Sequence, residues 1–262
     1  MFMNKAERQT SILALLRQHP DSSVQQMSQA MQVSQVTIRK DLKQLEEEGL
    51  LLRSYGKATL MRSAAPSGGS CFIPPEFQDD YVKKQQIGQL AASLVRDEDF
   101  LFIGPGYTCL EVGNNLKSCK RLSILTNNIS AAIELADVPE FKLMTTPGDF
   151  TRRNGTYYVT GPSTIKFVEH HSVDKMFITA DGISMERGLS VLDETTAQIY
   201  HALVKPDTQV IVCATGNKFS KNALTTLGPL TLASTIVTNV RPEDKFMHFF
   251  EMQGIEVIYP DA

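Results

Sequence analysis

Apolar residues at the start of the chain recur with the spacing of short helices. Ile12, Leu13, Leu15 and Leu16 fall inside a helix that a capping box, Asn4 with Glu7, opens and that His19-Pro20-Asp21 breaks. Ser23 with Gln26 is a second box. It opens a short helix with Val24, Met27, Ala30 and Met31 on one face. A tight turn at Gln32-Val33 leads to Ser34, whose hydroxyl suits the N-cap of a third helix. Ile38, Leu42 and Leu45 line one side of that helix, and Gly49 tolerates the left-handed conformation that ends it. Residues 50–53 and 58–60 then pair as a hairpin around Tyr55-Gly56. Three short helices with a tight turn before the last, followed by a hairpin, predict a winged helix-turn-helix.

The pattern changes beyond residue 62. Residues 63–79 hold Pro66, Gly68-Gly69 and Pro74-Pro75 among small residues and read as a linker. After it, short apolar runs at 100–103, 122–126, 141–145, 175–179, 209–214, 235–238 and 255–259 predict strands. Helices are predicted at 85–95, with Ile87, Leu90, Ala91 and Leu94 on one face, and at 109–116, 129–135 and 196–204. Strands alternating with helices predict an α/β fold with a mostly parallel sheet covered on both faces. The expected organisation is therefore a small winged helix-turn-helix domain over residues 1–62, a linker over 63–79 and an α/β domain over 80–262.

Charge sharpens the division. The 262 residues carry a formal net charge of -3. Within residues 1–62, nine Lys and Arg face six Asp and Glu, so this part is +3 and the remainder is -6. Positive charge segregated into the helical part suits a phosphate backbone and predicts salt-sensitive binding. Cys71, Cys109, Cys119 and Cys213 form no Cys-x-x-Cys pair, and the histidines keep no metal-ligand spacing. No metal or cofactor is expected, and the thiols read as reduced ones of a cytoplasmic protein. Glu7 and Arg8 precede any apolar run, unlike a signal peptide, and no stretch is apolar enough to span a bilayer.

Opposite Ile38, Leu42 and Leu45, the third helix carries Gln35, Val36, Thr37, Arg39, Lys40 and Lys43, and its first turn has no carboxylate. Amides, a hydroxyl and cations near a helix N-terminus suit base edges and phosphates in a major groove. Such helices also occur as ordinary mixed-charge surface helices, and it is the two helices before it that favour a DNA reader. Ser34, Gln35, Thr37, Arg39, Lys40 and Lys43, with Arg53 and Lys57 on the wing, are the candidate contacts to double-stranded operator DNA. Recognition of paired half-sites by one small module calls for a homo-oligomer, a dimer or tetramer.

In open α/β sheets, ligands sit beyond the carboxyl ends of the strands. Gly104-Pro105-Gly106-Tyr107-Thr108 follows a predicted strand and precedes a helix. Close backbone approach at its glycines, free N–H groups and the Thr108 hydroxyl make a phosphate cradle there, where the plain alternative is a strand-to-helix turn. It is neither a Walker loop nor a dinucleotide fingerprint. Asn127 follows the second strand, Gly148 precedes the Arg152-Arg153 pair, and Asp181 and Lys218 each follow a later strand. The candidate effector contacts are Gly104, Gly106, Tyr107, Thr108, Asn127, Gly148, Arg152, Asp181 and Lys218. The His170-His171 pair reads as structural, since adjacent side chains diverge.

These residues also fit a family. Val33-Ser34-x-x-Thr37-Ile38-Arg39-Lys40-Asp41-Leu42, then Leu45-Glu46, Gly49-Leu50 and Arg53-x-Tyr55-Gly56, resemble the N-terminal signature of DeoR-type bacterial transcription regulators. Gly104-x-Gly106-x-Thr108, Thr126-Asn127, Pro147-Gly148, Gly161-Pro162, Asp181-Gly182, Arg187-Gly188-Leu189 and Lys218-Phe219 follow the order of that family's C-terminal sensor domain. The resemblance implies a fold like ribose-5-phosphate isomerase and a phosphorylated sugar or polyol as effector. It departs from the pattern at Lys40 and Lys57, at Tyr107, and at Gly104, Thr215 and Asn239, where the family carries acids in place or nearby. The function expected is a repressor of a sugar or polyol operon, released from DNA by its effector. The alternative, an isomerase-like enzyme with an attached DNA-binding domain, needs a placed general base. Only Glu194 and Asp181 stand near the strand-end loops, and neither has a catalytic spacing.

Overall fold

The computed structural model describes residues 5–18, 22–47, 51–54, 57–60, 78–153 and 156–260. The chain divides into two compact units, Met1–Phe72 and Ile73–Ala262.

In the first unit, α1 (Lys5–Gln18), α2 (Val24–Met31) and α3 (Gln35–Glu47) precede β1 (Leu51–Ser54) and β2 (Lys57–Leu60). Ile12, Leu16, Met27, Met31, Ile38, Leu42, Leu45 and Leu51 form its core. Ala30, expected on the inner face of α2, is exposed, because the face actually buried is narrower and runs through Met27 and Met31. Both bonds of the second capping box are made. The Ser23 N–H donates to Gln26 Oε1 at 2.7 Å and the Gln26 N–H to Ser23 Oγ at 3.2 Å. Gln32 takes a left-handed φ of 52°, which turns the chain sharply into α3. The Thr37 N–H donates to Ser34 Oγ at 3.1 Å, so Ser34 caps that helix. β1 and β2 pair antiparallel from Leu51↔Leu60 to Ser54↔Lys57. The features expected at Asn4, His19-Pro20-Asp21, Gly49, Tyr55-Gly56 and the linker through residue 77 lie outside the described residues, as do the Arg53 and Lys57 side chains.

A polar contact between two of the helices adds to the apolar packing. Asp41 is 3% exposed and lies against Arg8 of α1, which donates to it through Nε at 2.5 Å and Nη2 at 3.2 Å. A planar guanidinium matches a carboxylate in this two-point geometry. It ties the start of the chain to the middle of α3.

The second unit is organised on a seven-stranded parallel sheet. Its strands are β3 (Phe100–Ile103), β4 (Ser123–Thr126), β5 (Lys142–Thr145), β8 (Lys175–Ile178), β11 (Gln209–Cys213), β13 (Thr235–Val237) and β14 (Glu256–Ile258). They lie in the order β14-β13-β11-β8-β3-β4-β5. The helices are α4 (Gln78–Ala92), α5 (Tyr107–Asn114), α6 (Ile129–Leu135), α7 (Pro162–Val168), α8 (Glu194–Leu203) and α9 (Asp244–Gln253). All four residues of β8 are buried, as expected of a strand covered on both faces. Phe102, Met176, Tyr200, Phe246 and Phe250 belong to the main core. α4 approaches α5 closely at Gly88, where any side chain would collide with Glu111.

Two antiparallel additions depart from simple strand–helix alternation. β6 (Asp149–Arg153) and β7 (Thr156–Thr160) form a hairpin. β9 (Gly182–Ser184), β10 (Gly188–Val191) and β12 (Thr225–Gly228) form a small sheet in the order β12-β10-β9.

Candidate nucleic-acid interface and ligand cleft

On α3, the structure separates two faces. Ile38, Leu42, Leu45 and Asp41 turn inward, while Ser34, Gln35, Arg39, Lys40 and Lys43 are exposed and Thr37 is half-buried. Val36 is 61% exposed on the same outer side, as an apolar side chain that would meet a thymine methyl. Ser34 and Thr37 are joined through their hydroxyls at 2.9 Å, so part of the polar row is held in place by the cap itself. The face carries cations and amides, with no carboxylate in the first turn of the helix.

In the second unit, β3 leads outward to β4 and β5 on one side, and β8 leads to β11, β13 and β14 on the other. The order of the sheet therefore reverses between β3 and β8, where a crevice is expected beyond the carboxyl ends. A cleft opens there. Pro105 to Thr108 follow β3, Thr179 to Asp181 follow β8, and Ala214, Thr215 and Lys218 follow β11. Arg153, Thr156 and Tyr158 enter it from the hairpin, Asp193 and Thr196 from the start of α8, and Lys84 from α4. About 790 Å³ of space lies within it, open solvent at the mouth included.

Its electrostatics are asymmetric. The N-cap of α5 is Gly106, at φ 96°, a conformation that favours glycine, and no side chain caps the helix. The first N–H groups of α5 thus face the cleft with the positive end of the helix dipole. α8 starts differently: Asp193 accepts from the Thr195 and Thr196 N–H groups at 3.2 Å and from the Thr196 hydroxyl at 2.8 Å. Asp181 accepts the Leu192 N–H at 3.0 Å. Its other oxygen is 3.6 Å from Arg153 Nη2 and 3.8 Å from Lys218 Nζ. Lys84 pairs with Asp80 at 2.5 Å, and its ammonium lies 5.9 Å from the centre of the Tyr107 ring. Cys213 forms part of the floor, where burial pushes its thiol well above the ordinary range and keeps it neutral.

Five of the nine residues expected at this site line the cleft: Gly106, Tyr107, Thr108, Asp181 and Lys218. The other four do not. Gly104 continues the strand, its N–H donating to the Phe177 carbonyl at 2.9 Å. The Asn127 side chain is buried and donates to the Val159 carbonyl at 3.0 Å, holding the hairpin to the loop after β4. Gly148 takes φ 143° at the entry to β6, where a side chain would strike Thr160 and Thr164. Arg152 points away and lies 5.7 Å over the Tyr157 ring, while Arg153 takes the cleft side, because successive residues of a strand face opposite ways. Lys84, Arg153, Thr156, Tyr158, Asp193 and Thr196 were not among the expected residues. No polar–apolar alternation in the Thr-Tyr-Tyr-Val-Thr of β7 singles out Thr156 and Tyr158; their pairing with Arg153 and Thr151 of β6 puts them on the cleft side.

Comparison with known proteins follows the same two units. A model of the DeoR-like helix-turn-helix domain matches residues 8–64, and a model of the DeoR C terminal sensor domain matches residues 79–240. The chain is 25% identical over 257 residues to a putative aga operon transcriptional repressor of Escherichia coli O157:H7, covering 97% of this chain and 93% of that one. It is 25% identical over 255 residues to the glycerol-3-phosphate regulon repressor of Escherichia coli K12, covering 97% and 99%. The HTH-type transcriptional repressor GlcR of Bacillus subtilis is 27% identical over 260 residues, covering 98% and 96%. Among solved structures, ribose 5-phosphate isomerase A of Methanocaldococcus jannaschii aligns with 55% of this chain and 56% of its own, at 16% identity and TM-score 0.37.

Proposed function

This chain belongs to the DeoR family of transcriptional regulators, and we propose that it represses an operon of sugar or polyol metabolism until a phosphorylated effector enters the strand-end cleft. It is a DNA-binding regulator and not an enzyme; relatives that span its length are named as transcriptional repressors. No helix among the described residues is long and apolar enough to cross a membrane.

The exposed row on α3, from Ser34 and Gln35 through Thr37, Arg39 and Lys40 to Lys43, lies in the major groove in this reading. Arg53 and Lys57 reach phosphates from the wing. Operator half-sites are engaged by a homo-oligomer. Arg39→Ala is expected to weaken specific operator binding by about 1–3 kcal/mol if it reads a base edge.

The observation that carries the effector assignment is the uncapped start of α5 in a cleft that also holds Lys84, Arg153 and Lys218. Backbone N–H groups and three cations favour a phosphate. Thr108, Thr156, Tyr158 and Asp181 supply hydroxyls and a carboxylate of the kind that sugar hydroxyls pair with. The ligand acts on DNA binding only by preferring one state of the protein over another, and a coupling of about 1–3 kcal/mol suffices. Melting temperature measured against a panel of hexose, pentose and polyol phosphates tests the assignment, since a ligand that binds only the folded chain raises it. Stabilisation by a phosphorylated member but not by its unphosphorylated parent is expected. Equal response to both would remove the phosphate from the account.

A further inference from the structure

Several edges of the second unit end without a partner strand among the described residues: β5 and β14 at the two ends of the large sheet, the outer sides of β9 and β12 in the small sheet, and the outer side of β6 in the hairpin. β7, on the other side of the hairpin, is tied down. It bridges Asn128 through Tyr158, and its Val159 N–H donates to the Asn127 carbonyl at 2.8 Å. An open edge is a template for another strand.

β6 differs from the other edges in what it would meet if a second copy paired with it. It reads Asp149-Phe150-Thr151-Arg152-Arg153. Antiparallel pairing about a two-fold axis at Thr151 sets Asp149 opposite the second copy's Arg153, and Phe150 opposite its Arg152. The axis then repeats both pairs, as an isologous contact requires. Each opposed pair is favourable, one as opposite charges and the other as a cation over an aromatic ring. Moving the axis to Arg152 would set two arginines against each other, and moving it to Phe150 would leave Asp149 facing Thr151. The edges of β5 (Lys-Leu-Met-Thr), β14 (Glu-Val-Ile), β9 (Gly-Ile-Ser) and β12 (Thr-Thr-Leu-Gly) hold no opposite charges to exchange.

Phe150 and Arg152 are already placed for this, while Arg153, 3.6 Å from Asp181, would turn to meet the second copy's Asp149. Phe150 is 65% exposed and stacks on Tyr157 at 5.4 Å, with Arg152 over the same Tyr157 ring. We propose that β6 is the contact through which two copies of this chain associate, forming a continuous four-stranded antiparallel sheet from two hairpins. The hairpin's other face carries Arg153, Thr156 and Tyr158 into the ligand cleft, so each cleft borders the contact.

Sedimentation of the full chain and of Asp149→Arg tests the charge pairing. The wild-type chain is expected to sediment as a dimer or a multiple of one at micromolar concentration, and the variant to dissociate at least tenfold more readily. Thr151→Cys tests the register without altering charge. Directly opposed Cα atoms of antiparallel strands are about 4.5–5.5 Å apart, within the span a disulfide bridges. In a Cys71→Ser, Cys119→Ser background, mild oxidation should link most of the Thr151→Cys protein into covalent dimers, and Lys142→Cys on β5 should not link. A monomeric wild-type chain, or a Thr151→Cys protein that links no better than Lys142→Cys, would overturn the proposal.

Discussion

The two units set carboxylate against cation in opposite ways. In the helical unit, Arg8 meets the buried Asp41 by two short bonds, and the pair is committed to holding α1 on α3. In the cleft, Asp181 sits 3.6 Å from Arg153 and 3.8 Å from Lys218, all three groups about a third exposed. No short bond binds those cations to it. The same contrast separates two helix starts within the cleft: Asp193 satisfies α8, and nothing on a side chain satisfies α5. The closed pair fixes α1 against α3. The looser one leaves Arg153 and Lys218 in the cleft with no close carboxylate contact to Asp181.

The comparison breaks most sharply at Arg8. Arg8→Ala leaves Asp41 buried without its two-point partner and should cost about 3–5 kcal/mol of stability in the helical unit. Thermal unfolding followed by circular dichroism should show that unit melting early, with the α/β unit unchanged. Next in size is Lys218→Ala, which removes a charge-assisted contact of about 1.5–3 kcal/mol to an anionic ligand. Calorimetry should register a loss of roughly tenfold to a hundredfold in affinity, with no early melting. Asp193→Ala removes a cap and should lower the stability of the α/β unit by about 1 kcal/mol, read as a lower urea midpoint. Smallest is Arg152→Ala, on the outer face of the hairpin. It should change ligand affinity by no more than about 0.5 kcal/mol, while Arg153→Ala weakens it clearly. Equal losses from the two arginines would erase the assignment of faces.

That last pair also marks how far the sequence could be read. β3 and α6 were legible to the residue, because a four-residue apolar run and a short helix between polar turns leave little room for another reading. The helix-turn-helix was equally plain: caps at Ser23 and Ser34 are local chemistry, and the structure makes both. The hairpin was not. β6 mixes charge, hydroxyl and aromatic residues and is largely exposed, so it carries no apolar run, and β7 is a five-residue piece with hydroxyls at both ends. Without the strand, the choice between Arg152 and Arg153 had no phase to rest on. α4 was placed several residues late, since its first turn is polar. Lys84 and Thr196 come to the cleft from helices distant in sequence, and only the fold brings them there. Arg8–Asp41 spans 33 residues and leaves no trace in either helix's own pattern.

The most direct test of the central claim is operator binding by fluorescence anisotropy, for the wild-type chain and Lys218→Ala, each with and without the sugar phosphate that gives the largest shift in the melting screen. Without ligand, the two proteins should bind operator equally, because Lys218 lies in the α/β unit and outside the reading face of α3. With ligand, affinity should fall for the wild-type chain and hold for the variant at the same concentration. Equal loss in both proteins would place the controlling anion site elsewhere, and no loss in either would contradict the account.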